Sequence, residues 1–337
     1  MSELLEPGLI DASSNYEPNP HPDGLSEIDN TEGLVHSMSP GRMAWKRFLS
    51  HRFAVFMTVV FIIMAIWILL APITARYGAQ YQIPSEGFKK VSYNAPSAKA
   101  WFGTDNLNHD IYSRIIWGGR ISMFIGLAVA IVSSVVGTAV GVIAGYKGGM
   151  VDDILMRVTD LFLAFPTLVL LLVLRNMFNN VPWLKWLFGD LKSLRFLVVL
   201  LVLLGWMAVA RIVRGVVMSL KEREFVEAAV ALGASSRRIA LRHLIPNALG
   251  PIIVALTISV VGAIVAESTL SFFGYGVDPI NQVSWGSMLS DAKGAVITGY
   301  WWMVVYPVAV FVLAILCINF IGDALRDAFD PKQAVGN

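Results

Sequence analysis

Glu227-Ala228-Ala229, three further residues and then Gly233 stand inside "EFVEAAVALGASSRRIALRHLIPNA", residues 224–248. The chemistry this pattern offers is non-covalent docking. Small residues let a partner's surface come close, and Arg237, Arg238 and Arg242 can fix the contact by charge or hydrogen bonds. A second group is Glu267 with Ser271, one helical turn apart near the end of an apolar run. A carboxylate there is expensive unless it is paired or wet. Two readings stand side by side, a path or gate through the apolar layer and a structural pair with a nearby arginine.

Covalent chemistry finds little support. The histidines are His21, His36, His51, His109 and His243, and the chain has no His-Glu-x-x-His, no Gly-x-Ser-x-Gly and no Gly-Lys dipeptide. Zinc hydrolysis, acyl transfer from serine and a self-supplied ATPase loop are all disfavoured. Cys317 is the single cysteine, so neither an intrachain disulfide nor a cysteine metal cluster can form. It reads as a small core hydrophobe. The expectation is a chain with no catalytic residue, no metal and no bound cofactor.

The elements that must position these groups are membrane helices. Of the 337 residues 56% are hydrophobic and only 15% charged, against about 25% charged in an ordinary soluble domain. The net charge of +2 is too small to suggest nucleic acid. The apolar residues gather into six runs, 53–73, 121–146, 158–178, 196–210, 248–266 and 301–322. Most are near the length a membrane helix needs. None alternates with period two, so a barrel is excluded and the fold class is all-α with six transmembrane helices. The span centres lack the ionisable groups of a proton-coupled carrier, which disfavours that class and, less strongly, a channel.

Within this frame 1–45 reads as a disordered acidic tail, 46–119 as a first span with an outer loop, 120–323 as the core and 324–337 as a second tail. Pro166 and Pro307 are expected to kink their spans. Asp160 and Arg175 bracket the short uncharged middle of the third span and are expected to reach headgroups from its ends. Gly137, Gly141 and Gly145 fall on one helix face, a close-packing seam within the chain or toward another subunit. Arg42, Lys46, Arg47 and Arg52 before the first span, and Arg211, Arg214, Lys221 and Arg223 after the fourth, place both termini in the cytoplasm. The 224–248 patch is then cytoplasmic. Phe225, Ala229 and Leu232 share one face of a short helix, Gly233 stops it, and Ser235 or Ser236 caps a second one. That second helix carries Ile239 and Leu244 on one side and ends at Pro246.

The patch resembles the EAA loop of permease subunits of ATP-binding-cassette importers: Glu-Ala-Ala, three residues, Gly, then Arg242-His243-Leu244-Ile245-Pro246-Asn247 where peptide-type permeases have a Leu-Pro element. Further stretches resemble the C-type dipeptide/oligopeptide permeases in order along the chain. They are 102–123, 152–172, 266–277 ("AESTLSFFGYGV"), 285–289 ("WGSML") and 319–332. Asn108-His109 stands where that family usually has Gly-Arg before an aspartate, so any role of that arginine is not carried over. The resemblance implies a type I ABC importer permease fold. Glu227, Ala228, Ala229, Gly233, Arg237, Arg238 and Pro246 would couple to two ATPase subunits or domains, which use the ATP. A B-type permease, an extracytoplasmic substrate-binding protein, a peptide substrate and a bacterial or archaeal plasma membrane are implied with them. Another cargo, such as a nickel chelate, a short glycan or a peptide antibiotic, remains the alternative.

Overall fold

The computed structural model describes residues 40–84, 86, 92–179, 181–182, 186, 193–278 and 282–329. The acidic segment up to residue 39 and the last eight positions lie outside the described residues. Among the described residues, every helix long and apolar enough to cross a membrane lies in the unit 44–337. Helix α1 (Pro40–Ser50) stands where the acidic tail was expected to extend to residue 45.

Among the described residues five helices are long and apolar enough to cross a membrane. They are α2 (Arg52–Leu69), α4 (Ile111–Lys147), α7 (Leu194–Lys221), the continuous stretch Ser236–Phe272 of which α10 (Ile245–Phe272) is the main part, and α12 (Trp302–Phe329). Short α3 (Ala71–Thr74) follows α2, and α11 (Trp285–Ile297), which hydropathy alone did not single out, lies between the last two spans. Side-chain caps open the helices where the sequence provides them. Asp110 accepts from Ser113 N at 3.0 Å at the start of α4, and Ser193 accepts from Phe196 N at 3.2 Å at the start of α7.

The third expected span is two helices, α5 (Gly149–Leu163) and α6 (Thr167–Asn179), bent by 94°. Pro166 sits at the break. It offers no N–H to continue the ladder and pushes Phe165 out of helical conformation, so the expected kink is a full interruption. Pro307, by contrast, lies inside the continuous α12. The fourth span runs on to Lys221, so Arg211, Arg214 and Lys221 are on a helix and not in a loop. Arg214 grips Asp152 of α5 with two bonds, Nε to Oδ1 at 2.5 Å and Nη2 to Oδ2 at 2.6 Å. Asp160 is exposed and pairs with Arg211. Arg175 departs from expectation: it is 5% exposed, tucked against Tyr275, and does not reach outward.

The glycine seam lies within the chain. A Cβ at Gly137 would meet Trp206 O at 2.6 Å, one at Gly141 would meet Ala210 O at 2.6 Å, and one at Gly145 would meet Arg214 O at 2.9 Å. Three turns of α4 thus press their backbone directly onto α7, which no larger residue would permit. Around this axis Leu200, Val213 and Leu244 are fully enclosed.

At the end of α4 away from the 224–248 loop, the 92–110 segment folds over buried polar groups. Asp105 accepts from Leu107 N at 2.8 Å, His109 N at 2.9 Å and His109 Nδ1 at 2.8 Å, and it pairs with Arg114, whose other arm reaches Asp291 of α11 at 3.1 Å. Burial alone would raise the Asp105 pKa, but the His109 bonds and the Arg114 charge outweigh it and hold the carboxyl below its usual range. Burial wins at Asp110 and at Asp291, and both are pushed up. Asn108 has φ +61, the left-handed region that favours glycine and tolerates asparagine. This explains how asparagine stands where the resembling permeases have glycine.

Candidate functional site

The 224–248 loop is built as helix, stop, cap and return. Helix α8 (Glu224–Ala231) ends in a Schellman motif, with Gly233 N bonding Val230 O at 2.9 Å and Ala234 N bonding Ala229 O at 3.0 Å. The motif needs a left-handed residue after the helix, and Gly233 supplies it with φ +77. Ser235, one of the two expected caps, then accepts from Arg238 N at 3.4 Å and opens α9 (Ser236–Ile239).

A single π-turn, Ala240–Leu244, joins α9 to α10. Ile239 and Leu244 are five apart, about 140° around an ordinary helix. The wider π-turn brings both to one side, where they are 1% and 0% exposed. Pro246 opens α10 and does not end the loop helix. The helix runs on through it from Ser236 to Phe272, and the π-turn directly before it is where the backbone ladder is already shifted.

The buried side of the loop is Val226, Ala229, Ile239 and Leu244, packed on Val142 of α4, Val213 and Val217 of α7 and Ala255 of α10. The expected face of Phe225, Ala229 and Leu232 is corrected in part. Leu232 caps α8 outside its last turn and is 88% exposed, while Val226 takes the inward place at 2%. Of the seven residues expected to couple, Ala229 faces inward. Glu227, Ala228, Gly233, Arg237, Arg238 and Pro246 are exposed together. The loop is therefore a plate packed on three membrane helices on one side and presenting alanine, glycine, arginine and leucine on the other.

Glu267 and Ser271 come together elsewhere, in α10. Glu267 is 0% exposed. Its partners are hydroxyls and not the arginine weighed from sequence. Oε1 accepts from Ser271 Oγ at 2.6 Å, and Oε2 accepts from Ser122 Oγ at 3.2 Å and Ser268 Oγ at 3.3 Å. Ser122 in turn accepts from Trp285 N at 3.1 Å, and the indole of Trp285 donates to Ile115 O at 3.0 Å. The carboxylate thus ties α10 to α4 and to the first residue of α11. Sequence reasoning missed Ser122, Ser268 and Trp285, since their joining depends on how three separate helices meet. Among the described residues no cluster of histidine, cysteine and acids could hold a metal ion.

Comparison with known proteins matches this arrangement. Residues 137–335 match the family model described as binding-protein-dependent transport system inner membrane component, and residues 39–96 match the N-terminal TM domain of oligopeptide transport permease C. The oligopeptide transport system permease protein OppC of Bacillus subtilis is 36% identical over 88% of this chain and 91% of its own length. The dipeptide transport system permease protein DppC of the same organism is 34% identical over 88% and 87%. Among solved structures, a chain of the MetNI methionine ABC transporter in an inward-facing conformation shares the fold, with TM-score 0.52 and 18% identity over 64% of this chain and 96% of that one. With an all-helical core, a helix-stop-helix loop seated on three spans and these matches at both ends of the chain, the protein belongs to the binding-protein-dependent transport permeases of ABC importers and carries the N-terminal domain of the C type.

Proposed function

We propose that this chain is the C-type permease subunit of an ATP-driven importer of dipeptides and oligopeptides. The observation that carries the reading is the 224–248 plate, exposed on one side and packed on α4, α7 and α10 on the other. Its relatives are named for oligopeptide and dipeptide transport, which supports the cargo. The chain sits in the plasma membrane of a bacterium or archaeon with both termini inside, supported by the lysines and arginines beside α2 and α7. It pairs with a B-type permease, and together the two line the pathway. Two ATPase subunits or domains hold the plates from inside, and an extracytoplasmic binding protein delivers the peptide.

The mechanism is a two-state switch. Closure of the ATPases moves the plates, and the helices bolted to them turn as rigid bodies to open the pathway on the other side. Driving such an equilibrium from 1:99 to 99:1 takes about 5.5 kcal/mol, supplied by nucleotide binding to the partners. The Glu267 network keeps α4, α10 and α11 in step at the far end and forms part of the gate. This chain itself does no bond chemistry. Reconstitution of the full set of subunits in vesicles tests the reading. ATP inside the cytoplasmic compartment should drive uptake of short peptides with no ion gradient present. Uptake driven by an ion gradient without ATP would contradict it, and ATP-driven uptake of a nickel chelate but no peptide would overturn the cargo.

A further inference from the structure

Arg175 is a membrane-segment cation for which the described residues provide no acid. It lies on α6 at 5% exposure, with its guanidinium 5.3 Å from the ring centroid of Tyr275. Nη1 is enclosed without a hydrogen-bond partner. Among the described residues no carboxylate pairs with Arg175; the acids that hold arginines are Asp105, Asp152, Asp160 and Asp291. The rest of α6 packs through apolar groups, with Leu171 2% exposed and Phe178 edge-on to Phe196 at 6.0 Å.

Burying a guanidinium without a counter-charge is costly, and a cation–π contact offsets only part of that cost. Charges retained in membrane segments face the bundle interior or an aqueous path and mark what travels along it. The group missing here is an acid, and the planar fork of arginine matches a carboxylate in bidentate fashion. α6 is also a separate short helix beyond the 94° break, and the ion pairs of Arg214 and Arg211 hold α5 and not α6.

We propose that Arg175 recognises the terminal carboxylate of the peptide in transit, exchanging its contact with Tyr275 for that carboxylate when α6 moves. The proposal rests on the peptide-cargo reading above. Every peptide carries this one group whatever its side chains, so a single arginine in the wall serves cargoes of varied sequence.

The test uses the complete reconstituted transporter with its binding protein at saturation. Maximal uptake of trialanine and of its C-terminal amide is measured for the wild type, Arg175→Gln and Arg175→Lys. The acid-to-amide ratio should fall about tenfold in Arg175→Gln, the discrimination expected of a charge-assisted pair, and by less in Arg175→Lys. The assembled Arg175→Gln complex should melt no lower than wild type, because an unpaired buried charge has gone. An unchanged ratio overturns the proposal. An unchanged ratio with a lower melting temperature overturns it in favour of a carboxylate from the partner permease. If Arg175→Gln does not assemble, Arg175→Met, uncharged and of similar length, decides, and an unchanged ratio there overturns it equally. Wild-type uptake of neither form overturns the cargo reading itself, whereas normal peptide uptake with an unchanged ratio removes only the role of Arg175.

Discussion

Glu267 Oε1 accepts the Ser271 hydroxyl at 2.6 Å, one turn along the same helix, while Oε2 reaches across to Ser122 of α4. This pair closes a fully buried network rather than lining an open surface. Glu267→Gln keeps an acceptor, and the serine hydroxyls can turn to accept from its amide. Glu267→Ala leaves at least three hydroxyls with one partner fewer. A buried polar group left unsatisfied costs about 1–3 kcal/mol. Thermal melting of the assembled complex should place Glu267→Gln near wild type and Glu267→Ala well below it. Equal melting of the two variants would show that the hydroxyl network contributes nothing.

The α4–α7 seam gives a second expectation. Gly141→Val should destabilise by about 1–3 kcal/mol, the usual cost of forcing extra volume into a packed interior, because its Cβ falls 2.6 Å from Ala210 O. Gly215→Ala, with nothing within 4 Å of the added atom, should be neutral or gain up to about 1 kcal/mol from helix propensity. Denaturant titration in detergent compares the two. A Gly141→Val variant as stable as Gly215→Ala would contradict the seam.

These glycines show what the sequence reveals readily. Spacing of four on an apolar run signals close packing whatever the partner, and only the partner, α7, had to be found in the structure. The α8 stop was equally legible, because Gly233 and Ser235 act through local backbone geometry. Features that depend on tertiary contact were not. Which face of α8 turns inward is decided by Val142, Val213 and Val217 beneath it, so Val226 displaces Phe225 and Leu232. Pro166 marks the break, but a proline alone does not fix its size, and the turn here is 94°. The burial of Arg175 leaves no trace in its neighbours along the chain, Leu174 and Asn176.

Acid should loosen the 92–114 segment through Asp105. Its folded pKa lies below the unfolded value of about 4. Its contribution is therefore present above about pH 4 and lost as pH falls through the folded value. Asp110 and Asp291 are raised; their contribution is present below about pH 4, is lost as pH rises through their folded values, and opposes that of Asp105. Asp105→Asn should cost about 3–5 kcal/mol at neutral pH, since it strips a buried charge pair of its shared acid, and it should flatten the acid side of the melting profile. A variant with the same steep acid loss as wild type would assign that loss to other groups.

Ala228 and Ala229 are neighbours in sequence with opposite surroundings, the first exposed and the second 8% exposed over the loop core. Ala229→Glu should lower the stability of the loop itself, because it drives a charge into an apolar layer. Ala228→Glu should leave folding untouched and act only on whatever covers the plate. Limited proteolysis between α7 and α10 separates the two: faster cutting is expected for Ala229→Glu alone, and equally fast cutting of both would mean that Ala228 is also structural.

The coupling claim is tested most directly by uptake and ATP hydrolysis measured together on the reconstituted importer carrying Ala228→Glu. The chain should insert and assemble at wild-type levels, peptide uptake should fall at least tenfold, and hydrolysis should no longer rise when loaded binding protein is added. Wild-type uptake, with hydrolysis still stimulated, would contradict the assignment of residues 224–248 as the surface through which ATP drives this permease.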